Sequence, residues 1–341
     1  MPSSPSEANP SRSVRPVRGT RVLITGAAGF LGSHLARALT ERGAIVGAMS
    51  RSRSRLEALH PELAIERIEC DLTQRDEVRA RIDEFAPEVI FHYASEPDAE
   101  ESFDHTRRCI QTNLLATVNL LEAFAGSGGL LVYGDSAKVY GNAPWPDPAS
   151  AFDRHIEPNS SYAVTKAAGW MMCRCHSALH GFKTVSLRPT LIYGPGQPRN
   201  LIRYVIERAC AGDATITLSG GAQTRDPLFI DDAIDAAVRV LERGDALSGQ
   251  AITIGGGQEM SVLEIARLIV ELCGSSAAVR PGPDMARPTE VWRIASDNRK
   301  AEQSLQWFVN TPFREGLART IRDHLGECPA TLSSTTRRRT T

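Results

Sequence analysis

Three glycines at three-residue intervals separate a short apolar run from an amphipathic segment near the start of the chain. The run is RVLIT (residues 21–25), the turn reads TGAAGFLG, and apolar side chains then recur at helical spacing. Gly26 permits a tight turn, Gly29 lets the backbone approach a pyrophosphate, and Gly32 allows close contact between helix and sheet. Because the helix N-terminus offers free N–H groups and partial positive charge, the spacing predicts a dinucleotide-binding strand–turn–helix unit.

Short apolar runs alternate with amphipathic segments over the first half of the chain. After the first run, strand-like segments occur at 44–49, 64–70, 88–94, 130–133 and 183–188. Helix-like segments occur at 74–85, 106–125 and about 160–180. This alternation predicts a parallel sheet covered on both faces, with right-handed crossovers. The predicted fold class is α/β, a Rossmann-type doubly wound parallel sheet with a smaller C-terminal α/β substrate lobe.

The pattern becomes looser after residue 190, where Pro- and Gly-containing stretches interrupt shorter elements. We therefore predict a Rossmann domain over 19–189, joined by parts of 226–255, and a substrate-binding lobe built from 190–225 and 256–326. The Ser-, Pro- and Arg-rich start and the Thr- and Arg-rich end predict disordered tails over 1–18 and 327–341.

Composition and residue spacing argue against nucleic acid, membranes and metal ions as partners. The 341 residues carry 39 Lys and Arg against 40 Asp and Glu, so no global field favours nucleic acid or a membrane surface. No apolar run approaches the roughly 20 residues that span a bilayer. Seven scattered cysteines without zinc-type spacing predict reduced thiols in the cytoplasm. His176 and His180 are four residues apart on a helix-like segment, but they lack a carboxylate-rich partner motif, and no metal site is predicted.

The end of the second strand bears on the choice of cofactor. An acidic residue commonly stands there to bind the adenosine ribose of NAD, but this chain reads AMSRSRSR, with Met49 at that place and Ser50, Arg51 and Arg53 after it. A guanidinium suits a 2′-phosphate, which favours NADP(H), with NAD(H) possible; a solvated basic loop is the alternative. Asp71, after the third strand in CDLT, is placed to bond the adenine amino group.

A tyrosine and a lysine stand four residues apart in SSYAVTKAAG. On a helix, Tyr162 and Lys166 share one face. A phenol with an ordinary pKa near 10 is a poor acid–base group at neutral pH, and a neighbouring cation lowers that pKa. Lys166 can supply this cation, and its three donors can also hold a nicotinamide ribose. Together with the glycine turn near residue 26 and with Ser136, which precedes the pair in the sequence, Tyr162 and Lys166 indicate a proton-transfer site.

Further motifs follow the same order as in one known family. They read TGAAGFLG, FHYAS, NLLATVNLLEA, SAKVYG, YAVTK, LRPTLIYGPG, RDPLFIDDAID and ITIGGGQEMSV. Over about residues 20–326 the chain resembles an extended short-chain dehydrogenase/reductase of the NAD-dependent epimerase/dehydratase family, which acts on nucleotide sugars. The resemblance implies a catalytic set of Ser136, Tyr162, Lys166 and Asn113. Tyr162 would exchange a proton with the substrate oxygen, Ser136 would hydrogen-bond that oxygen, and Asn113 would support the active-site helices.

The resemblance also implies a cofactor-binding surface that runs from the glycine turn to the segment after the sixth strand. Its residues are Gly26, Gly29, Phe30, Leu31, Gly32, Ser50, Arg51, Asp71, Leu72, Tyr93, Ala94, Ser95, Tyr162, Lys166, Pro189 and Leu191. Tyr193 and Pro195 would lie in the loop that flanks the nicotinamide. Helices near 106–125 and 160–178 would pair two chains in a homodimer.

The implied substrate set combines Ser136 with residues of the C-terminal lobe. Asn200 in RNLIRY matches a position that contacts the sugar nucleotide, and Arg225 in TRDPLF matches an arginine that pairs with the diphosphate. Arg287 is a looser match, because MARPTE departs from the usual arginine-plus-aspartate pattern; Glu290 would stand in for the aspartate. A surface charge is the alternative for each arginine.

The two residues before VYG bear on which reaction of the family this chain can catalyse. Sugar dehydratases of this family carry an acidic residue there, whereas this chain has Ala137 and Lys138. An alanine–lysine pair cannot supply the carboxylic acid that protonates a leaving hydroxyl, so dehydration is disfavoured. We predict an NAD(P)-dependent 4-keto sugar reductase. The alternatives are a nucleotide-sugar epimerase with bound NAD and a dinucleotide-binding sensor without catalytic activity.

Overall fold

The structure is a computed structural model that describes residues 14–97, 101–142, 155–198, 200–282 and 289–327. Its strands in chain order are β1 (Arg21–Thr25), β2 (Ile45–Ser50), β3 (Ile65–Glu69), β4 (Val89–His92), β5 (Leu130–Gly134), β6 (Lys183–Pro189), β7 (Leu191–Tyr193), β8 (Thr215–Leu218), β9 (Thr224–Arg225), β10 (Pro227–Phe229), β11 (Gln250–Ile254), β12 (Met260–Ser261) and β13 (Ala278–Pro281).

Its α-helices are α1 (Phe30–Glu41), α2 (Arg53–Glu57), α3 (Arg75–Phe85), α4 (Phe103–Cys109), α5 (Ala116–Phe124), α6 (Ser161–His180), α7 (Leu201–Cys210), α8 (Ile230–Arg243), α9 (Val262–Leu272), α10 (Arg299–Leu305) and α11 (Phe313–Glu327). A π-helical segment over Ile110–Leu115 joins α4 to α5, and a 3₁₀ turn over Ala137–Tyr140 follows β5. A second 3₁₀ turn covers Gly244–Leu247.

Seven parallel strands form one sheet in the order β11-β6-β5-β4-β1-β2-β3. The predicted α/β fold class with a Rossmann-type sheet is confirmed. β1 pairs with β2 on one side and with β4 on the other, so the order reverses at β1. In open parallel sheets this reversal leaves a crevice at the carboxyl ends of the strands, where ligands bind.

Alternating side chains of the buried strands supply two hydrophobic cores, one on each face of the sheet. Val89 and Phe91 of β4 pack on one face, against residues of α1 and α8, whereas Ile90 packs on the other, against α3, α5 and α6. Covering both faces explains why β4 and β5 read as uninterrupted apolar runs. The first core continues into the C-terminal part through Ile202 of α7 and Ile265 of α9.

The C-terminal part contributes three small strand pairs and returns one strand to the main sheet. β7 pairs with β10 and β8 with β13 in parallel, and β9 pairs with β12 in antiparallel register. β11 pairs with β6 at the edge of the seven-stranded sheet. The chain therefore leaves the sheet after β6 and re-enters it some 60 residues later.

Residues 14–18 differ from the predicted disordered tail over 1–18, because they pack on the folded chain. The Arg15 N–H donates to the Glu242 carbonyl at 2.8 Å, and the Arg15 guanidinium bonds to Asp245 at 2.9 Å. Val17 packs on the first core. These partners lie more than 200 residues away in sequence, so local composition could not reveal them. Residues 1–13 and 328–341 of the two predicted tails lie outside the described residues.

Among the described residues, no helix is both long enough and apolar enough to cross a bilayer. The described part of the chain also contains no cluster of three or more His, Cys, Asp or Glu side chains arranged to hold a metal ion. His176 and His180 stack on each other along α6, with ring centroids 5.4 Å apart.

Candidate active site

Packing explains the glycines of the turn between β1 and α1. Gly26 has φ +68°, and a Cβ there would lie 2.6 Å from the backbone nitrogen of Ala94. A Cβ on Gly32 would lie 2.4 Å from the Gly26 carbonyl oxygen. A Cβ on Gly29 would meet one atom within 4 Å, the Gly26 carbonyl oxygen at 3.1 Å, so the space on the other sides of this glycine is open. The turn therefore holds α1 close to the sheet and keeps its outer surface open.

That open surface is one wall of a cavity of about 250 Å³. Nine of the predicted cofactor residues line it, namely Gly26, Gly29, Ser50, Arg51, Asp71, Leu72, Tyr93, Ala94 and Ser95. They come from the carboxyl ends of β1 to β4, which the reversal of strand order brings together. Met49, one residue before the end of β2, stands where an acid was expected, and it is buried. We refer to this cavity as the dinucleotide cavity.

A second cavity, of about 290 Å³, lies beside it, and we refer to it as the catalytic cavity. Ser136, Tyr162 and Lys166 all line it, so the structure brings the predicted triad together. The predicted residues Leu31 and Pro189 also line it, and Tyr93 and Ser95 border both cavities. Phe30, Gly32 and Leu191 line neither cavity; Phe30 and Leu191 pack against the first core instead.

Lys166 is almost completely buried, with 3% of its surface exposed. Its ammonium donates to the Gly134 carbonyl oxygen at 2.8 Å and lies 5.8 Å from the centre of the Tyr162 ring. Burial lowers the pKa of Lys166 to about 8, and the negative charge of Asp135 opposes that shift. The one-turn spacing on α6 thus holds a cation beside the phenol, which favours the phenolate.

Ser136 follows the last residues of β5 and begins the 3₁₀ turn. Its Oγ accepts the Lys138 backbone N–H at 3.2 Å, which fixes the hydroxyl at the start of the turn. A serine hydroxyl keeps its own proton to donate, so Ser136 can still hydrogen-bond a substrate oxygen in the cavity. The Lys138 side chain is half-buried.

Asn113 lies in the π-helical segment and outside both cavities. Its side-chain oxygen accepts the Glu96 N–H at 2.6 Å, and its amide donates to Thr165 Oγ1 at 3.0 Å. These bonds join the segment after β4 to the first turns of α6. Asn113 therefore holds the helix that carries Tyr162, and it does not contact the cavity itself.

The predicted substrate residues of the C-terminal part have internal partners. The Asn200 side chain caps α7 by accepting the Arg203 N–H at 3.0 Å. The Arg225 guanidinium bonds to Glu290 at 2.5 Å and to the Val291 carbonyl at 2.9 Å. Glu290 thus faces Arg225. Arg287 lies outside the described residues. Neither Asn200 nor Arg225 lines the catalytic cavity.

Tyr193 and Pro195, which the family resemblance places in a loop beside the nicotinamide, also have partners within the chain. Tyr193 is buried, and its hydroxyl donates to the Phe313 carbonyl at 3.2 Å. The Pro195 carbonyl oxygen lies 3.1 Å from the His34 ring on α1. These contacts join the end of β7 to α11 and the segment after β7 to α1.

Sequence reasoning missed two charged residues at the cavities. Arg55 lines the dinucleotide cavity, and its guanidinium donates to the Ala28 carbonyl of the glycine turn at 2.9 Å. The short helix α2 brings it there, and no helix was predicted from the sequence in this segment. Asp135 lines the catalytic cavity and bonds to Arg188 at 2.6 Å. A charged residue directly after an apolar strand was the available signal for Asp135.

The fold and the cavities together define a Rossmann-type protein with the serine, tyrosine and lysine of an extended short-chain dehydrogenase/reductase. The model of the NAD dependent epimerase/dehydratase family matches residues 22–255. The chain belongs to this family.

Curated relatives cover most of the chain. A UDP-glucose 4-epimerase of Mycolicibacterium smegmatis is 32% identical over 88% of this chain and 97% of its own. A dTDP-glucose 4,6-dehydratase of Streptomyces niveus is 31% identical, over 88% of this chain and 91% of its own. A dTDP-4-dehydro-6-deoxy-D-allose reductase of Streptomyces bikiniensis is 28% identical, over 89% and 96%. Epimerases, dehydratases and reductases are thus all similar to this chain.

Solved structures share the fold over nine-tenths of the chain. The epimerase Mth375 of Methanothermobacter thermautotrophicus has a TM-score of 0.82 and 30% identity, and the match covers 91% of this chain and 94% of that one. A UDP-glucose 4-epimerase of Thermus thermophilus in complex with NAD has a TM-score of 0.78 and 26% identity, over 91% and 100%.

Proposed function

We propose that the protein is a nucleotide-sugar ketoreductase that uses NADP(H). The observation that carries the proposal is the pair of adjoining cavities. One holds Ser136, Tyr162 and Lys166, and the other has Arg51 and Arg55 at the end where an NAD-binding chain would place an acid. The S. bikiniensis reductase, similar along most of the chain, supports this choice of reaction.

The dinucleotide cavity fits a nicotinamide dinucleotide, since Gly29 leaves open backbone beside the N-terminus of α1. Asp71 would bond the adenine, Arg51 and Arg55 a 2′-phosphate, and Lys166 the nicotinamide ribose. The bound cofactor would supply hydride transfer to or from a sugar carbon. All other parts of the reaction fall to the side chains of the catalytic cavity.

Tyr162 is the proposed proton donor to the sugar oxygen, because its phenol opens on the catalytic cavity beside a buried cation. Ser136 would donate a hydrogen bond to the same oxygen and keep it near the phenol. Lys166 would favour the phenolate that remains after transfer. Neither Ala137 nor Lys138 can act as the carboxylic acid of a dehydratase, and we assign no loss of water to this site.

Epimerisation is the second candidate, and a specific observation favours it. The M. smegmatis relative is a UDP-glucose 4-epimerase, and the similar T. thermophilus structure contains NAD. The same three side chains would serve both reactions. A dinucleotide-binding sensor is the third candidate, and the triad around a single cavity argues against it.

The deciding experiment offers a 4-keto-6-deoxy nucleotide sugar with excess NADPH and follows the absorbance of the reduced nicotinamide. A reductase consumes one NADPH for each sugar converted, and the product gains the mass of two hydrogens. An isomer of unchanged mass, formed from a hydroxy sugar without net consumption of NADPH, would replace our proposal with the epimerase. If neither assay shows turnover, mass spectrometry of ligands retained after gentle purification would separate the sensor from an untested substrate.

We further propose that residues 190–225 and 256–326 form the lobe that binds the nucleotide sugar, with 19–189 and parts of 226–255 binding the dinucleotide. Asn200 and Arg287 would contact the sugar nucleotide, and Arg225 would pair with its diphosphate. For Arg225 this requires exchange of Glu290 for the diphosphate, a dianionic ligand that a guanidinium binds with two parallel bonds. We place the reaction in the cytoplasm, in keeping with the free cysteines of the described chain.

We propose a homodimer through the helical region that contains α4, the π-helical segment and α6. Large apolar side chains lie exposed there, namely Phe103, Ile110, Leu115, Val164, Met171, Met172 and Leu179. Such a group of exposed apolar residues is typical of a protein interface. Light scattering coupled to size exclusion would report the dimer, and Val164→Glu with Met171→Glu should convert it to a monomer.

A further inference from the structure

Asp135 is a charged residue with no exposed side-chain surface, located between Gly134 and Ser136 at the end of β5. One carboxylate oxygen accepts the Arg188 Nε–H at 2.6 Å and the Ser186 hydroxyl at 2.9 Å. The other accepts the Ser136 backbone N–H at 2.9 Å. A buried carboxylate is costly unless it is paired and hydrogen-bonded, and here both of its oxygens have partners.

Arg188 extends the contacts of Asp135 to other parts of the sheet. Its guanidinium donates to the Tyr140 hydroxyl at 3.3 Å, and that hydroxyl lies 2.7 Å from Thr253 Oγ1. The network therefore joins β5, β6, β11 and the 3₁₀ turn. A carboxylate fixed in this way can serve as a rigid support for its neighbours along the chain.

Both neighbours of Asp135 serve the catalytic cavity. Ser136 lines it directly, and its backbone N–H is bonded to Asp135. The Gly134 carbonyl oxygen accepts from the Lys166 ammonium at 2.8 Å. Gly134 thus holds the Lys166 ammonium, and Asp135 forms the buried ion pair with Arg188. Ser136 presents its hydroxyl to the catalytic cavity.

The charge of Asp135 acts on Lys166 within a mostly neutral set of groups. The groups facing the ammonium are Asp135, Cys109, Cys173, His92, Tyr133 and Tyr162. Burial raises the pKa of the Cys173 thiol and lowers the pKa of His92 to about 3, so both are uncharged at neutral pH. Among the groups whose charge raises the pKa of Lys166, Asp135 has the largest effect, ahead of Cys173 and Cys109.

We propose that Asp135 is a positioning residue that holds Ser136 in place and keeps the Lys166 ammonium charged through neutral pH. The inference deepens the proposed function and rests on it for the roles of Ser136 and Lys166. Asp135 itself does not contact the reacting atoms.

The direction in which the pH midpoint of cofactor binding should move follows from the pKa of the buried Lys166. Its pKa is lowered to about 8, so the ammonium is present below that pH and is lost as pH rises through it. Removal of the Asp135 charge lowers the pKa of Lys166 further. The pH above which the ribose loses its ammonium partner should then fall by about one unit, the lower end of the shift that a nearby opposite charge produces.

The test measures the dissociation constants of NADPH and NADH by fluorescence between about pH 6 and pH 10, a range that brackets the titration of Lys166. Asp135→Asn and Arg188→Gln are a matched pair, since both break the same ion pair but only the first removes the negative charge. We expect the midpoint of weakened binding to fall in Asp135→Asn and to stay or rise in Arg188→Gln. Equal shifts in the two variants, or no shift in Asp135→Asn, would overturn the proposal.

Asp232→Asn is the control for loss of a buried carboxylate away from Lys166. Asp232 is 2% exposed and accepts the backbone N–H groups of Asn310 and Thr311. The Asp232→Asn substitution should lower the unfolding temperature and leave the pH midpoint of cofactor binding unchanged. A midpoint that moves in this variant as it does in Asp135→Asn would assign the shift to general loosening and overturn the proposal.

Asp135→Asn leaves Arg188 buried without its partner and can therefore fail to fold. The double variant Asp135→Asn with Arg188→Gln carries the same loss of negative charge without an uncompensated cation. It should give a cooperative thermal transition and a midpoint below that of Arg188→Gln; a midpoint equal to that of Arg188→Gln would contradict the proposal. Because binding requires no sugar, this test stands even if the proposed reaction fails.

The role toward Ser136 has its own readout once a substrate is assigned. Asp135→Glu keeps the charge but adds a methylene, which displaces the acceptor of the Ser136 N–H. We expect an unchanged pH midpoint together with a kcat about tenfold lower at every pH, smaller than the loss from removing a hydrogen-bond donor to the reacting oxygen altogether. A kcat equal to that of the parent protein would overturn this part of the proposal.

Discussion

At the scale of single residues, Tyr162 is the side chain on which we expect turnover to depend most. Tyr162→Phe keeps the ring and removes the proton that the phenol would exchange. We expect turnover to fall by about 10²–10⁴-fold, the contribution typical of a general acid–base group. Cofactor affinity should stay within a few-fold, because the ring remains next to Lys166.

Steady-state kinetics and a fluorescence titration with the cofactor check this expectation. Tyr204→Phe is the matched control, since the Tyr204 hydroxyl donates to the Thr217 carbonyl in the C-terminal part and does not line the catalytic cavity. Activity of Tyr162→Phe similar to that of this control would remove Tyr162 from the reaction.

Arg51 is the residue on which the choice of cofactor is expected to depend. If its guanidinium pairs with a 2′-phosphate, Arg51→Ala should weaken NADPH by about ten- to a hundredfold, because a bond to a charged group is worth roughly 1.5–3 kcal/mol. NADH affinity should not change. Isothermal titration of both cofactors measures the difference.

Arg53→Ala supplies the control for a lost arginine on the same segment. Arg53 bonds to Glu57 at 3.0 Å on the exposed side of α2 and does not line the dinucleotide cavity. Its removal should leave both affinities unchanged. A parent protein that binds NADPH and NADH equally well would refute the role of Arg51.

Residues whose role depends on local spacing could be predicted from the sequence, and those whose role depends on distant partners could not. Tyr162 and Lys166 are four residues apart, and helical geometry alone predicts that they share a face. Asp135 acquires its surroundings from Arg188, 53 residues later, and Arg225 meets Glu290 across 65 residues. No periodicity in the sequence indicates such pairs.

At the scale of secondary-structure elements, the junction of β1 and α1 depends on a glycine with no room for a side chain. A Cβ on Gly32 would lie 2.4 Å from the backbone oxygen of Gly26, so Gly32→Ala must push α1 away from the sheet. We expect a loss of about 1–3 kcal/mol in the free energy of unfolding, as for other overpacked sites, together with weaker cofactor binding.

Gly326→Ala tests whether this loss comes from the contact or from the residue type. Gly326 also lies in a helix, α11, but a Cβ there would meet no atom within 4 Å. An alanine at this place should stabilise the chain by about 0.4–1 kcal/mol, because it restricts the unfolded state. Denaturant unfolding of both variants should therefore give changes of opposite sign. A Gly32→Ala variant as stable as its parent would contradict the packing argument.

The central strands of the main sheet were predictable because burial on both faces makes β1, β4 and β5 nearly uninterrupted apolar runs. The run at 21–25 coincides with β1, and the run at 183–188 falls within β6. β9 and β12 are two residues long, and they pair only because the fold brings Thr224 opposite Ser261. The π-helical segment around Asn113 was likewise hidden, since its apolar pattern is that of a helix.

At the scale of the whole molecule, the seven-stranded sheet is completed by a strand that comes late in the chain. β11 and α8 both follow β7 to β10 in the chain, yet they cover the edge and one face of the main sheet. A fragment that ends after β6 would leave β6 without its outer partner and expose core residues of the α8 face. We expect a fragment of residues 14–189 to show no cooperative thermal transition and to bind a hydrophobic dye.

Circular dichroism and dye fluorescence of this fragment beside the full chain test that expectation. The full chain should melt in a single transition under the same conditions, because one core runs from the sheet into the C-terminal part. A fragment that melts cooperatively and binds the dinucleotide would show that the first six strands are sufficient.

The late return of β11 also limits how such a protein can be recombined. An exchange of everything after β6 with a relative would replace β11 and α8 as well, so foreign side chains would enter the core beneath the sheet. An exchange that alters only the segments proposed to bind the sugar needs two separate inserts, one before β10 and one after β11. Chimeras made with a single crossover after β6 should therefore be less soluble than those made with two inserts, even between parents of similar sequence.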